Sequence, residues 1–432
     1  MKTQNRRNFV KTSTTMAVGS TLLTGFSINT LGAGKPDELR VGLVGCGGRG
    51  TGAAFEALKT SPNVKLTAMA DTFEDRLESA FLRLTDQFGK QVSISKKDKH
   101  VGFDGYKKVI ENCDVVILAT PPPFRPIHFE EAVKADKHVF MEKPLFVDIP
   151  GYHKIISTNE LAKKKNLNVA VGLQLRFEPG YQQLMDKVRD GAIGEIKSLD
   201  VYYNVGAPKI HPRQEGQTEM EYQMRNWRYF TWLWGGQLSG QTIHQIDVVN
   251  WLMNDYPTVV NGLGGRIAFS GPNQGNTYDH HYAEFEYANG VRLHVQSKNI
   301  DSTWNRNGFE IVGTKGAAND RSRIHDADGK VTWQYRNRDQ NIGSSQLCQS
   351  AFINSVLEGT PLNQAEYGAK SSLTCVMGRM AIHSGKRITI EEALASERSI
   401  LPSKFSWDAD MPNKPGKDGN YEIPIPGKTE VL

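Results

Sequence analysis

A strand-like run holding Val41, Leu43 and Val44 leads directly into Gly45-Cys46-Gly47-Gly48-Arg49-Gly50, the residues of this chain best suited to chemistry. The spacing is Gly-x-Gly-x-x-Gly, and each glycine has its own physical job in holding a dinucleotide. Gly45 permits the tight turn out of the strand, Gly47 leaves the backbone bare for a pyrophosphate, and Gly50 lets the following helix pack close to the strand. N–H groups at the start of that helix, read over residues 53–59, face the phosphates. A second apolar run over 64–70 ends in Asp71, 21 residues after Gly50, near the spacing at which a carboxylate accepts from a ribose hydroxyl. Asp71 favours NAD over NADP, because a carboxylate there repels a 2′-phosphate. Arg49 and Arg76 stand close enough in sequence to weaken that preference.

Further groups follow at the ends of later strands. A continuous apolar strand over 114–119 stops at Thr120-Pro121-Pro122-Pro123, a rigid loop that sets Thr120 and Pro121 beside the cofactor. The next strand, 138–141, runs into Glu142-Lys143-Pro144. A lysine at that place can donate to a substrate hydroxyl, and partial burial moves its pKa toward neutrality, which suits acid/base work. Taken without other context, the same lysine is an exposed residue in a helix-start loop. Trp227, Tyr229, Phe230, Trp232 and Trp234 lie within eight residues, with Arg225 and Arg228 beside them. Aromatic faces stack on a pyranose and arginines bond its hydroxyls or a carboxylate, while others of these rings fill the space between domains. Gln174 and Arg176, after the last strand of the first domain, join Trp227, Arg228 and Tyr229 as candidate substrate contacts. Asp279-His280-His281 and His294 alternate across a hairpin face, so no metal is expected.

The elements that must position these groups fall into two patterns. Strand and helix alternate through 34–173, the pattern of a doubly wound parallel sheet of Rossmann type, with 91–108 read as a polar surface insertion around a short strand near Val101. Over 174–386 the strands at 197–205, 259–269, 280–287, 291–299 and 307–313 read as antiparallel, with Asn289-Gly290 as a hairpin turn. A long helical insertion occupies 219–253, and helices at 345–359 and 367–385 return to the core. Residues 387–432 form an extension, and its Pro- and Gly-rich part from 411 on wraps the surface or a partner subunit.

Composition narrows the class. The chain has 432 residues, 38% hydrophobic and 23% charged, as expected of a globular protein with two domains. The net charge of +5 is small and no Lys/Arg stripe is present, which argues against nucleic acid. Cys46, Cys113, Cys348 and Cys375 are far apart and lack Cys-x-x-Cys spacing, so zinc is not expected and a disulfide is not required. Residues 1–33, with Arg6-Arg7, Phe9 and Lys11 ahead of a weakly apolar stretch, resemble a twin-arginine export signal. No run is long and apolar enough to insert in a membrane. The expected location is the periplasm, reached as a folded protein. A periplasm offers no pool of free NAD, so the cofactor is expected to be tightly bound and regenerated on the enzyme.

The Gly45 loop, Asp114-Val-Val-Ile-Leu-Ala-Thr-Pro-Pro, His138-Val-Phe-Met-Glu-Lys-Pro, Val171-Gly172 and His244-x-x-Asp247 together resemble the glucose–fructose oxidoreductase / inositol dehydrogenase / MocA family over residues 39–385. The resemblance implies a Rossmann domain followed by an open-faced, mostly antiparallel sheet with helices on one face, and NAD(P)-dependent redox chemistry on sugars, polyols or glycosides. It implies catalytic roles for Lys143 and His244, with Asp247 on the same helix face as His244 and able to orient its ring. Many members carry an aspartate four residues before that histidine, where this chain has Gly240 and, beside it, Gln241. The base is then Lys143 or His244 alone, or a substitute such as Tyr222 or Tyr229. Two enzyme classes follow: an oxidoreductase working on a carbinol, which the retained lysine favours, and an NAD-dependent glycoside hydrolase, some of whose members resemble this chain in carrying an export signal and a Gly-Cys-Gly-Gly-Arg-Gly loop. A non-catalytic sugar-binding protein is a third reading. An open-faced sheet needs a cover, which predicts a homodimer or homotetramer.

Overall fold

The computed structural model describes residues 38–336 and 342–432. The export-signal reading on residues 1–33 lies outside the described residues. Strand and helix alternate as the apolar pattern requires: β1 (Leu39–Val44), α1 (Gly48–Thr60), β2 (Val64–Asp71), α2 (Glu74–Phe88), β3 (Lys99–Val101), α3 (Gly105–Glu111), β4 (Val115–Leu118), α4 (Arg125–Lys134), β5 (His138–Met141), α5 (Ile149–Lys164) and β6 (Val169–Val171). Among the described residues six parallel strands pair in the order β3-β2-β1-β4-β5-β6. The chain order reverses between β1 and β4, so the loops leaving these two strands diverge and open a crevice at their carboxyl ends. All four residues of β4 are buried, as a strand covered on both faces demands.

The 91–108 stretch is not a surface insertion. Its strand, β3, forms the edge of the sheet beside β2, with Asp71 opposite Val101, and Tyr106, Val109 and Ile110 of α3 are buried against the core. An edge strand is half solvated, which accounts for its polar, basic composition.

After α6 (Pro179–Arg189), β7 (Ile196–Val205) begins the second sheet. The helical insertion that follows is not continuous. It consists of α7 (Glu219–Arg225), α8 (Thr231–Trp234), a π turn over Leu238–Thr242 and α9 (Ile243–Met253). Gly235 and Gly236 both take left-handed backbone, φ +74 and +79, which ends α8 and re-aims the chain. Then come β8 (Val259–Gly265), β9 (His280–Glu286), β10 (Arg292–Asn299), β11 (Arg306–Gly313), β12 (Gly316–Asn319), β13 (Arg323–Asp326), β14 (Val331–Gln334), α10 (Ser344–Glu358), α11 (Ala365–Ser384), β15 (Ile388–Thr389) and α12 (Ile390–Leu394). The sheet order is β14-β13-β12-β11-β7-β10-β9-β8-β15, antiparallel except for the β7–β10 pair. β8 stops at Gly265 rather than running to Phe269, because one oxygen of Asp279 accepts the backbone N–H groups of Ile267, Ala268 and Phe269 and folds them into a loop. That use of Asp279 also removes it from metal ligation. Among the described residues no group of three or more His, Cys, Asp or Glu side chains is placed to hold a metal ion.

Two returns of the chain tie the sheets together. α10 packs on the first sheet, where Cys348, Phe352 and Ile353 join Val41, Leu43 and Ile117 in one apolar cluster. α11 fills the space between the sheets, and its Ala369 and Leu373 share a cluster with Met141 and Val171 of the first sheet and Phe285 and Val295 of the second. The extension folds back on its own chain: Met411 and Tyr421 are buried against Tyr222 and Phe230, and Tyr421 Oη donates to Glu219 at 2.5 Å. All four cysteines are buried and unpaired. No helix among the described residues is long and apolar enough to cross a membrane.

The docking of α10 predicts that Phe352→Ala, at a fully buried position, lowers unfolding free energy by about 3–5 kcal/mol in a urea titration. A loss below about 1 kcal/mol would detach α10 from the core.

Candidate active site

The glycine loop has the geometry its spacing predicts. Gly45 sits at φ +95 and its N–H donates to Ala70 O at 2.8 Å. A Cβ on Gly45 would lie 2.6 Å from Thr120 N, and one on Gly50 only 1.8 Å from Gly45 O, so neither position admits a side chain. At Gly47, the residue that caps α1, nothing lies within 4 Å of a Cβ position, which leaves room over the unpartnered N–H groups of the first helical turn. Asp71 closes this end. Its carboxylate accepts from Cys46 N at 2.7 Å and Phe73 N at 2.9 Å, so it is fixed to the loop; burial pushes its pKa up while these two bonds hold it down. Cys46 is buried next to it, and burial raises its thiol far above the ordinary range, leaving it unreactive. Arg49 turns away from Asp71: it bridges Glu56 at 2.6 Å and Glu142 at 2.7 Å, which leaves Arg76 as the cation beside Asp71.

At the other end, two loops are joined from below by Arg125, a fully buried guanidinium that donates to Thr120 O at 2.5 Å and to Pro144 O. Glu142 is buried against Gly172, where a Cβ would come 2.7 Å from its carboxylate. Lys143 Nζ donates to the carbonyl of Gly240 at 2.8 Å. Burial lowers its pKa to about 8; Glu142 opposes the shift, and Arg125, Arg228 and Arg49 add to it. His244 is held neutral by burial and by the neighbouring Lys143, and its Nδ1 has no hydrogen-bond partner.

Gly240 carries the departure noted in the sequence. It lies in the π turn, and a Cβ there would stand 1.7 Å from Nε1 of Trp234. The indole of Trp234, itself buried, fills the space an aspartate side chain would need. Lys143 therefore faces a backbone carbonyl instead of a carboxylate.

One cavity of about 1220 Å³ brings together Gly45, Cys46, Gly47, Gly48, Arg49, Gly50, Asp71, Thr120, Pro121, Glu142, Lys143, Gln174, Trp227, Arg228, Gln241 and His244. Other candidates lie elsewhere. Arg176 and Asp247 form a buried two-bond ion pair, 2.8 Å in each bond, which Ser371 caps at 2.7 Å and on which Tyr367 stacks at 3.8 Å. Asp247 is thus used up by Arg176 and Ser371 and does not orient His244, and Arg176 does not reach the cleft. Tyr229 is buried with its hydroxyl on Pro208 O at 2.5 Å, and Tyr222 bonds Asn273 O at 2.7 Å, so neither replaces the missing acid. Phe230 and Trp232 are core residues. Tyr203, Arg125 and Trp234 line the cleft in roles the sequence reading did not assign. Tyr203 continues the row Leu199, Val201 at period two along β7, and that alternation was the available signal.

The chain matches two family models: the oxidoreductase family, NAD-binding Rossmann fold, over residues 39–173, and the GFO/IDH/MocA C-terminal domain over residues 181–319. The 2,7-anhydro-N-acetylneuraminate hydratase of Escherichia coli is 29% identical over 204 residues, 47% of this chain and 50% of that protein. A glycosyl hydrolase family 109 protein of a Shewanella species is 26% identical over 262 residues, 60% of this chain and 50% of that protein. The chain thus spans about half the length of these curated relatives. Among solved structures, the aldose-aldose oxidoreductase of Caulobacter crescentus superposes with a TM-score of 0.64 at 18% identity, covering 82% of this chain and 100% of that one, which is a likeness of fold.

Because Trp234 occupies the place of a side chain at Gly240, Gly240→Asp is expected to lower stability by about 3 kcal/mol, read by thermal or urea unfolding. Unchanged stability would mean that the indole moves aside freely.

Proposed function

The chain belongs to the GFO/IDH/MocA family of oxidoreductases with an NAD-binding Rossmann domain, and on that premise we propose that it moves a hydride between bound nicotinamide and a carbinol of a sugar, polyol or glycoside. The observation that carries this reading is Lys143: an amine with a pKa of about 8, held at 2.8 Å by the neutral carbonyl of Gly240, beside neutral His244 in the same cavity.

The bare backbone at Gly47 and the fixed carboxylate of Asp71 fit a dinucleotide, with Thr120, Pro121 and Glu142 along its path. Asp71 supports NAD over NADP. When bound, nicotinamide supplies the hydride acceptor or donor. In the oxidative direction neutral Lys143 takes the hydroxyl proton onto Nζ as the carbinol C–H leaves as hydride, giving a ketone and a lysine ammonium. His244 bonds the substrate oxygen, and Trp227 and Arg228 bind the rest of the sugar. A carboxylate facing Lys143 would favour its ammonium form; the Gly240 carbonyl carries no charge, so the free amine is accessible near neutral pH.

Retention of the cofactor is supported by the segment after β7. Gln214 and Gln217 line the cavity, and Arg225 pairs with Asp75 at 2.7 and 2.8 Å while stacking on Phe73 at 3.8 Å. The proposed setting is the periplasm, on the Arg6-Arg7 leader, with a second carbonyl substrate regenerating the cofactor in place. The partly exposed face of the second sheet, carrying Tyr202, Tyr282 and His294, supports a homodimer or homotetramer.

The glycosyl hydrolase family 109 relative favours a second reading, in which the ketone acidifies a neighbouring C–H, the leaving group is eliminated, water adds and the ketone is reduced again. The two separate in protein purified without added cofactor and mixed with a panel of glycosides. A keto-sugar with stoichiometric growth of the reduced-nicotinamide absorbance supports the oxidoreductase. Catalytic aglycone release with no net change in that band establishes the hydrolase.

For the oxidoreductase, kcat/KM for alcohol oxidation is expected to rise with pH and level off above about 8, since the base is active only when deprotonated. Lys143→Met should lower kcat by about 10²–10⁴-fold and erase that inflection. An inflection that survives the substitution would transfer the base role to another group. At the other end, Asp71→Ser should shift the NADP-to-NAD affinity ratio toward NADP by about tenfold, by removing the carboxylate beside Arg76. Equal affinity ratios in the two proteins would dismiss Asp71 as the discriminator.

A further inference from the structure

A second cavity, of about 360 Å³, lies away from the cleft between α11 and the folded-back extension. Its wall contains Arg379, 6% exposed, with no hydrogen-bond or ion-pair partner among the described residues. A buried guanidinium left without an acceptor is costly, and folded chains seldom keep one without something to compensate it. Asp148, in the same wall, attracts Arg379 through space but makes no hydrogen bond to it. Asp148 is committed elsewhere, accepting from Gly151 N at 3.0 Å, Ser399 Oγ at 2.8 Å and Ile400 N at 3.2 Å. His383, one turn further along the same face of α11, also lines the cavity and is kept neutral by burial and by Arg379, so it adds no second positive charge there. Glu422 and Glu430 stand at the rim, Glu430 facing Lys386 at 3.7 Å.

Two other polar atoms in the same wall are buried and unpartnered: Thr231 Oγ1 and Asn413 Oδ1. The first is a hydroxyl, the second an acceptor that needs a donor. Water of the cavity can satisfy both, but it brings no charge to Arg379. An anion carrying hydroxyls satisfies all three. The volume is at the small end of the range for ligand sites, enough for a molecule of monosaccharide size.

We propose that this cavity is a binding site for a small hydroxylated carboxylate of the sugar-acid class, its carboxylate on Arg379 and its hydroxyls on Thr231 and Asn413. The site is distinct from the cleft but shares a wall with it. Thr231 and Trp232 face the second cavity, while Trp227, Arg228 and Trp234 of the same short segment face the first. Behind them, Gly378, adjacent to Arg379 on α11, lies against Leu238 of the π turn that holds the Gly240 carbonyl. A sugar acid bound here would thus sit one helical layer from Lys143.

The test is calorimetric titration of D-gluconate into the full chain with its cofactor, in the wild type and in Lys143→Met, Arg379→Gln and Thr231→Val, with inorganic phosphate as a second probe. The expected result is one site per chain in the wild type, retained in Lys143→Met, weakened about tenfold or more by Arg379→Gln and severalfold by the near-isosteric Thr231→Val. If Arg379→Gln does not fold, Thr231→Val decides alone. The proposal is overturned if gluconate gives no binding, if binding is indifferent to both Arg379→Gln and Thr231→Val, if it is lost in Lys143→Met and so belongs to the cleft, or if phosphate binds with the same dependence while gluconate does not.

Discussion

The hydrogen bond from Lys143 Nζ to the carbonyl of Gly240, 2.8 Å long, is the contact to which the rest of the cleft is referred. It joins the loop after β5 to the π turn ahead of α9, and so sets the first sheet against the second at the place where chemistry is proposed. Each end has a condition attached. On one side, Arg125 holds the carbonyls of Thr120 and Pro144, which fixes the loop that carries the lysine. On the other, Gly240 must have no side chain, because Trp234 already stands there. The environment of the amine is therefore set jointly by three residues, Lys143, Gly240 and Trp234. Its electrostatic result is an amine that loses its proton more readily than a lysine paired to an acid.

The opposite end of the cleft follows a different logic. There the backbone is the binding surface, and side chains are arranged to keep off it. Gly45 and Gly50 pack too closely for a Cβ, and Asp71 is tied to the loop by two N–H bonds. Arg49 is drawn toward Glu56 and Glu142, so its charge contributes to the lysine end and not to the ribose end.

Much of this could be read in the chain. The glycine spacing, the apolar runs of β1, β2 and β4, and the lysine after β5 are local signals, and local signals survive without coordinates. What failed was partnership at a distance. His244 and Asp247 share a helix face, but nothing nearby in sequence shows that Arg176, 71 residues upstream, holds that carboxylate with Ser371 on its other side. The aromatic cluster read as a sugar platform, yet Tyr229, Phe230, Trp232 and Trp234 are all buried, and only Trp227 keeps a partly exposed ring. Gly240 read as a missing acid, since the residue that fills its space is six positions away around a glycine turn. Arg125 follows three residues of a proline-rich loop and carries no pattern at all.

The double return of the chain has a mechanical consequence. Many two-domain enzymes admit substrate by swinging open on one connection. Here α10 is packed onto α1 and the first sheet, and α11 is wedged between both sheets, so separate strands of backbone span the divide. A hinge cannot rotate about one axis while such ties hold. The aperture must then be nearly rigid, its width decided at folding. Any change in the width of the mouth is then left to side chains, with little contribution from closure of one half upon the other.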